Sequence, residues 1–321
     1  MSAHRDSRHW RSWCRVSASI DWIELRVRLA RPSQFQYVQR CIHREIGSII
    51  YVSPVDDGPG GTTAEFLLRF NDDDANAAIL RQALAAVDRE FQLTAEPAVE
   101  AIEIACDFWP KPDAPRRTRV LVEVTRLLQG RLFAPEAEHP RRFHQGKRII
   151  DLRRPGERLK AARTLWLGNR SDPLFWRVYA KRTDRDQPLA PSAWRARVEV
   201  VLQHGAPARH GLLSVADLEA FDFRSLTSLF RFRRQVSIEA KARGDRFVSL
   251  ALNELCRRSD ATELRGTHSF SALGRRTRHR KTRKESSFLE PDEVLQGAVS
   301  DALRRLSAGG PRAEFSVRTS R

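Results

Sequence analysis

Apolar residues fall at every second position in four stretches of the first 110 residues and at helical spacing in two others. SASIDWIELRVRLA (17–30), GSIIYVSPV (47–55), TTAEFLLRF (62–70) and AVEAIEIACDFW (98–109) each predict a strand. PSQFQYVQRCIHREI (32–46) predicts an amphipathic helix after the first strand, with Pro32 in its first turn. DDGPGG (56–61) is a turn between the second and third strands. NDDDANAAILRQALAAVDREF (71–91) opens on acidic residues suited to a helix N-terminus and continues as a helix. The order is βαββαβ, the ferredoxin-like split arrangement. Right-handed crossovers would place both helices on one face of a four-stranded sheet.

The pattern then repeats its logic without repeating its sequence. A helix is expected over 115–133, followed by strands in RRFHQGKRIIDL, ARTLWLGN, LFWRVYAKRT and AWRARVEVVLQ, up to about 203. The fold class is therefore α+β. A basic leader (1–17) precedes a ferredoxin-like unit and a second α/β unit, which together form one domain over 18–204. Beyond it the pattern turns helical (205–270), with helices expected at SVADLEAFDF, SLTSLFRFRRQ and VSIEAKARGDRFVSLALNELC. GRRTRHRKTRKESS (274–287) has no apolar period and eight basic residues in its first eleven, so 271–288 is expected to be a disordered basic linker. A last amphipathic helix within 289–307 carries Val294, Leu295, Ala298, Val299, Ala302, Leu303 and Leu306 on one stripe, followed by a tail (308–321).

Charge changes the picture more than composition does. The 321 residues carry a formal net charge of +17 and a pI of about 10.8, with 41% hydrophobic and 30% charged residues. Such a field favours a polyanion, and the usual polyanion is nucleic acid. Lysine occurs only at 111, 147, 160, 181, 241, 281 and 284, so the cations are mostly arginine, the better bidentate partner for phosphate. Cys14, Cys41, Cys106 and Cys256 form no CxxC pair, which argues against a zinc site or a disulfide framework. No apolar run approaches membrane-spanning length, and no apolar core follows the charged N-terminal residues. The expectation is a soluble, cytoplasmic protein with no membrane partner.

Three strands share an oddity. In IEIACDF, Ile102, Ile104, Cys106 and Phe108 form the apolar face, while Glu103, Ala105 and Asp107 form the other. In WRARVEVVL, Arg195, Arg197 and Glu199 oppose an apolar face. In FWRVYAKRT, Arg177 and Lys181 flank Tyr179 on one face. Acidic residues are depleted in strands, and each feature alone is ordinary on a solvated face. If the faces converge, they make a pocket of carboxylates, a tyrosine, a lysine and arginines. Carboxylates bind Mg²⁺ or Mn²⁺, which polarises a phosphodiester oxygen. A phenol needs a base or nearby cations to react at neutral pH, and Lys181 could lower its pKa or steady transition-state charge. Arg177 or Arg197 could grip a phosphate, and Glu199 could be ligand or proton acceptor. No His-hydrophobe-His pair is present; His139 and His144 lie in a basic stretch and read as DNA-facing or structural.

TLWLGNRSDPLFWRVYAKRTDRDQP followed by WRARVEVVL resembles the core of the Rep_trans replication initiation factors of rolling-circle plasmids and filamentous phages, and their related relaxases. The likeness lies in a threonine-led strand ending at Gly168, then Arg177–Val178–Tyr179–Ala180–Lys181, then Trp194 to Arg197–Val198–Glu199. SIDWIEL also looks like the family's first strand, and the likeness extends over about 18–204. Position 180, often acidic in the family, is alanine here, and Glu103 stands where an aspartate is expected. The resemblance implies that 18–204 is a metal-dependent tyrosine nickase of ferredoxin-like descent. Tyr179 would be the nucleophile, and Glu103, Asp107 and Glu199 the ligands of Mg²⁺ or Mn²⁺. The implied partner is origin DNA, single-stranded or supercoiled, with a host helicase, replication proteins and a homodimer left open. A conjugative relaxase of the same chemistry and a non-catalytic DNA-binding regulator are the alternatives.

Overall fold

The computed structural model describes residues 9–56, 58–114, 116–134, 141–145, 148–150, 164–184, 186–237 and 287–308. A short helix α1 (His9–Trp13) leads into a long strand β1 (Cys14–Ser33). Then follow α2 (Phe35–Ile46), β2 (Tyr51–Pro54), β3 (Thr63–Asn71), α3 (Ala77–Phe91) and β4 (Ala98–Pro110). The strands lie in the order β2-β3-β1-β4 and every neighbouring pair is antiparallel, which is the expected ferredoxin-like unit. Two expectations at the start need correction. Residues 9–17 belong to the fold, with Trp10 and Cys14 in the core, so a leader through 17 is too long. Pro32 lies in β1, and α2 begins after Gln34. Past Arg26 the strand has left β4, so a proline there need not cost a ladder hydrogen bond.

The second unit opens with α4 (Arg117–Arg131) and the strands β5 (Arg141–Gln145), β6 (Arg148–Ile150), β7 (Thr164–Leu167) and β8 (Leu174–Lys181). A two-stranded excursion, β9 (Thr183–Asp184) and β10 (Gln187–Pro188), precedes β11 (Arg195–Leu202). Because β11 pairs with both β4 and β8, the two units share one nine-stranded sheet ending β4-β11-β8-β7-β5-β6. Apolar residues of α2, α3 and α4 join one cluster with Ile102, Ile104, Cys106, Phe108, Val178, Val198 and Val200. The alternate residues of those strands therefore face away from this core. Gly168 sets the β7–β8 register. Its φ is +83°, and a Cβ there would stand 3.1 Å from the Leu174 carbonyl.

The C-terminal part is less helical than expected. Short helices α5 (Ala206–Arg209) and α6 (Val215–Ala220) are present, the latter closed by a Ser214–Asp217 capping box. SLTSLFRFRRQ is a 3₁₀ turn (Phe223–Leu229) followed by strand β12 (Arg233–Ser237), not a helix. Its F-R-F-R alternation has period two: Phe230 and Phe232 are buried, and Arg233 stacks on Phe133 at 3.9 Å. The partner of β12 is β13 (Ser287–Pro291), far along the chain. The last helix, α7 (Glu293–Ser307), buries Leu295, Val299, Ala302 and Leu303, while Val294 stays exposed. The helix expected over 236–256 and the linker expected over 271–288 lie mostly outside the described residues; where they are described, Val236–Ser237 and Ser287–Phe288 are strand, in β12 and β13. Among the described residues no helix is long and apolar enough to cross a membrane.

Candidate active site

The sheet register aligns the polar positions in rows across four adjacent strands. Ser17, Asp107, Arg197 and Tyr179 form one row, on β1, β4, β11 and β8 in turn. Ser19, Ala105, Glu199 and Arg177 form the next, and Trp22, Glu103, Val201 and Phe175 the third. All seven residues singled out from the sequence thus share the face turned from the helices. Small Ser19 and Ala105 in the middle row leave space into which longer side chains can lean.

An eighth residue was missed. Between Ile20, opposite Ile104, and Trp22, opposite Glu103, the β1–β4 register slips by one residue. Asp21 is the extra residue of this bulge, and bulges commonly re-aim a side chain next to a functional site. The signal was present: apolar residues run Val16, Ala18, Ile20, then Ile23, Leu25, Val27, a single phase break at Asp21–Trp22.

Glu103 and Glu199 are each 1% exposed and Arg197 2%, so their charges must be satisfied by one another. Arg197 holds Asp107 through two parallel hydrogen bonds of 2.7 Å, from Nε and Nη2. Its Nη1 donates to Asp21 and, at 3.4 Å, to Glu199 Oε1. All three of its nitrogens are engaged. Arg195 adds a 3.1 Å ion pair to Asp107. Arg177 bridges the two buried glutamates, with Nη2 2.6 Å from Glu103 Oε2 and Nε 2.8 Å from Glu199 Oε2. The Trp22 indole donates to Glu103 at 2.9 Å. Lys181 pairs with Asp184 at 2.8 Å and lies 3.8 Å from Asp21.

Tyr179 Oη donates to Glu199 Oε1 at 2.6 Å. Burial, then the Glu199 carboxylate, push the phenol above its ordinary pKa despite Arg197 and Arg177. The nearby cations therefore do not lower it, and the carboxylate oxygen of Glu199 stands in position to accept the phenolic proton. Burial, then repulsion from Glu199, likewise raise Glu103. Burial alone would also raise Asp21, but Arg197 and Lys181 outweigh it and bring it to about 2.

Asp21, Glu103 and Glu199 bring carboxylate oxygens within 4.8 Å of one another. Asp107 stands apart from this group, clamped by Arg197. One buried oxygen, Glu103 Oε1, accepts no hydrogen bond, while Glu199 Oε2 is held by the Arg177 ion pair. An all-oxygen set with one unsatisfied oxygen suits a hard divalent cation such as Mg²⁺ or Mn²⁺.

No family model matches this chain, and no curated protein matches it. Four chains of solved structures are similar to it. One is the rolling circle replication initiator protein from Geobacillus stearothermophilus, at 13% sequence identity and a TM-score of 0.36, covering 68% of this chain and 87% of that one.

Proposed function

We infer that the protein is a metal-assisted tyrosine nickase and strand transferase that starts rolling-circle replication of its own DNA element. The observation that carries the reading is the 2.6 Å hydrogen bond from Tyr179 to the buried Glu199, inside a cluster of three carboxylates. The strongly basic charge and the resemblance of 164–202 to initiation factors support it.

Asp21, Glu103 and Glu199 would hold Mg²⁺ or Mn²⁺, which when bound supplies Lewis acidity to a scissile phosphate oxygen. Glu199 would have two roles: its Oε1 would take the phenolic proton, and its carboxylate would help hold the metal. The Tyr179 oxygen attacks phosphorus, forming a 5′-phosphotyrosyl bond as the bond to the 3′ oxygen breaks. That oxygen leaves as a 3′-hydroxyl, taking up the proton held by Glu199. Reversal of the same steps rejoins a strand, because the covalent bond keeps the energy that hydrolysis would lose. Arg177 would reach the phosphate through Nη1, since its Nε and Nη2 hold Glu199 and Glu103, whereas all three nitrogens of Arg197 are engaged. Lys181 then acts on Asp21 rather than on the phenol.

The test is cleavage of supercoiled DNA carrying the protein's own element, in Mg²⁺ or Mn²⁺. Wild type should relax it and Tyr179→Phe should not. Equal nicking by both would remove Tyr179 as nucleophile. No nicking by wild type would favour a DNA-binding regulator.

A further inference from the structure

A cavity of about 550 Å³ opens where β1 begins and β4 ends, away from the carboxylate cluster. Five cations line it: Arg11, Arg15, Lys111, Arg117 and Arg305. The lining carries one carboxylate, Asp301, which pairs with Arg304 outside the cavity. Among the described residues none of the five cations forms an ion pair. Arg117 donates to the carbonyls of Pro110 and Ser192, and Arg305 to that of Val16. The indoles of Trp10 and Trp109 complete the wall. Two buried donors of the lining, Trp10 Nε1 and Arg117 Nε, find no acceptor among the described residues.

Unpaired cations and unmet N–H donors around one concavity call for an anion with several acceptor oxygens. Trp10 is buried in the core, so it is the half-buried Trp109 indole that suits a flat, apolar group beside that anion. The volume is that of an ordinary small-ligand site. We propose that this cavity binds phosphate, and that its occupant is one nucleotide of a nucleic-acid single strand, phosphate on the cations and base beside the half-buried Trp109. Position supports a strand: Trp109 is two residues past Asp107 on β4, and its ring carries Arg195 at 4.5 Å, the arginine that also pairs with Asp107. The phosphate assignment stands on the charges alone, while the nucleic-acid source rests on the function proposed above.

The experiment compares Arg15→Gln/Lys111→Gln with a charge-matched control, Arg31→Gln/Arg40→Gln, on the full chain. Binding of a labelled single-stranded oligonucleotide is followed by anisotropy across a salt series, and binding of dAMP by calorimetry. The cavity variant should bind the strand about tenfold more weakly than wild type and clearly more weakly than the control. Its salt slope should fall by about 1.4, two phosphate contacts at about 0.7 each. If wild type binds the strand and the cavity variant matches the control, the pocket is refuted and the nickase reading stands. If wild type binds dAMP but no strand, and the cavity variant loses dAMP, the phosphate pocket stands and the nucleic-acid reading falls. Binding of neither probe by wild type overturns both.

Discussion

The same sheet carries two regions of charge organised in opposite ways. Around the carboxylate cluster four described cations each have an acid: Arg177 on Glu103 and Glu199, Arg197 and Arg195 on Asp107, Lys181 on Asp184. At the end of β1 and β4, five cations surround a cavity with no acid of their own among the described residues. A paired network fixes geometry, because breaking a buried pair strands a charge. An unpaired cluster raises self-repulsion and is relieved by a ligand. The first arrangement suits the chemistry proposed for it and the second the proposed phosphate ligand.

The largest expected effect lies in the paired region. Glu199→Gln removes the proton acceptor, so cleavage should fall by about 10²–10⁴-fold, a general-base loss. Activity within tenfold of wild type would mean that the Tyr179 proton goes elsewhere. Next comes stability. Arg177→Ala leaves two glutamates buried beside one another and should cost about 3–5 kcal/mol without metal, as for other broken buried pairs. Mn²⁺ should recover part of that loss in thermal melts. Arg15→Gln, in the unpaired region, should change stability by no more than about 0.5 kcal/mol. Equal costs for the two variants would erase the distinction between the regions.

How far this contrast could be read from the sequence depends on the range of the interactions. The ferredoxin-like order and the alternation of IEIACDF, LFWRVYAK and RARVEVVL were legible, because period two with one apolar face specifies both strand and facing. Tyr179, Arg177, Glu103 and Glu199 followed from that facing. The partner of each charge did not, since it depends on which strands become neighbours. Arg197 looked available for a phosphate until β4 proved to lie beside β11, with Asp107 directly opposite. Asp21 was hidden by a bulge, which cancels the alternation that strand reading relies on. RFRRQ was misread as helix because its period-two alternation spans only a few residues and the partner that makes it a strand, β13, lies some 50 residues on.

Smaller effects sharpen the roles within the carboxylate group. Asp21→Asn should weaken Mn²⁺ binding by at least about tenfold, while Asp107→Asn, which disturbs the pairs with Arg197 and Arg195, should weaken it less. Direct titration followed by electron paramagnetic resonance separates the two, and the reverse order would restore Asp107 as ligand. The pH dependence has a defined sign. With Asp21 at about 2 in the folded protein, below its ordinary 3.8, its contribution is present above about pH 4 and is lost as pH falls toward 2. Wild type should lose stability across that window, and Asp21→Asn should lose less.

The most direct test of the central claim is to trap the covalent intermediate. Wild-type protein is incubated with a randomised single-stranded DNA library and Mn²⁺, digested, and mapped by mass spectrometry. A nucleotide joined through a 5′-phosphate to Tyr179, absent in Tyr179→Phe, is the predicted result. Strand cleavage with an adduct on any other residue, or cleavage with no adduct at all, would contradict it.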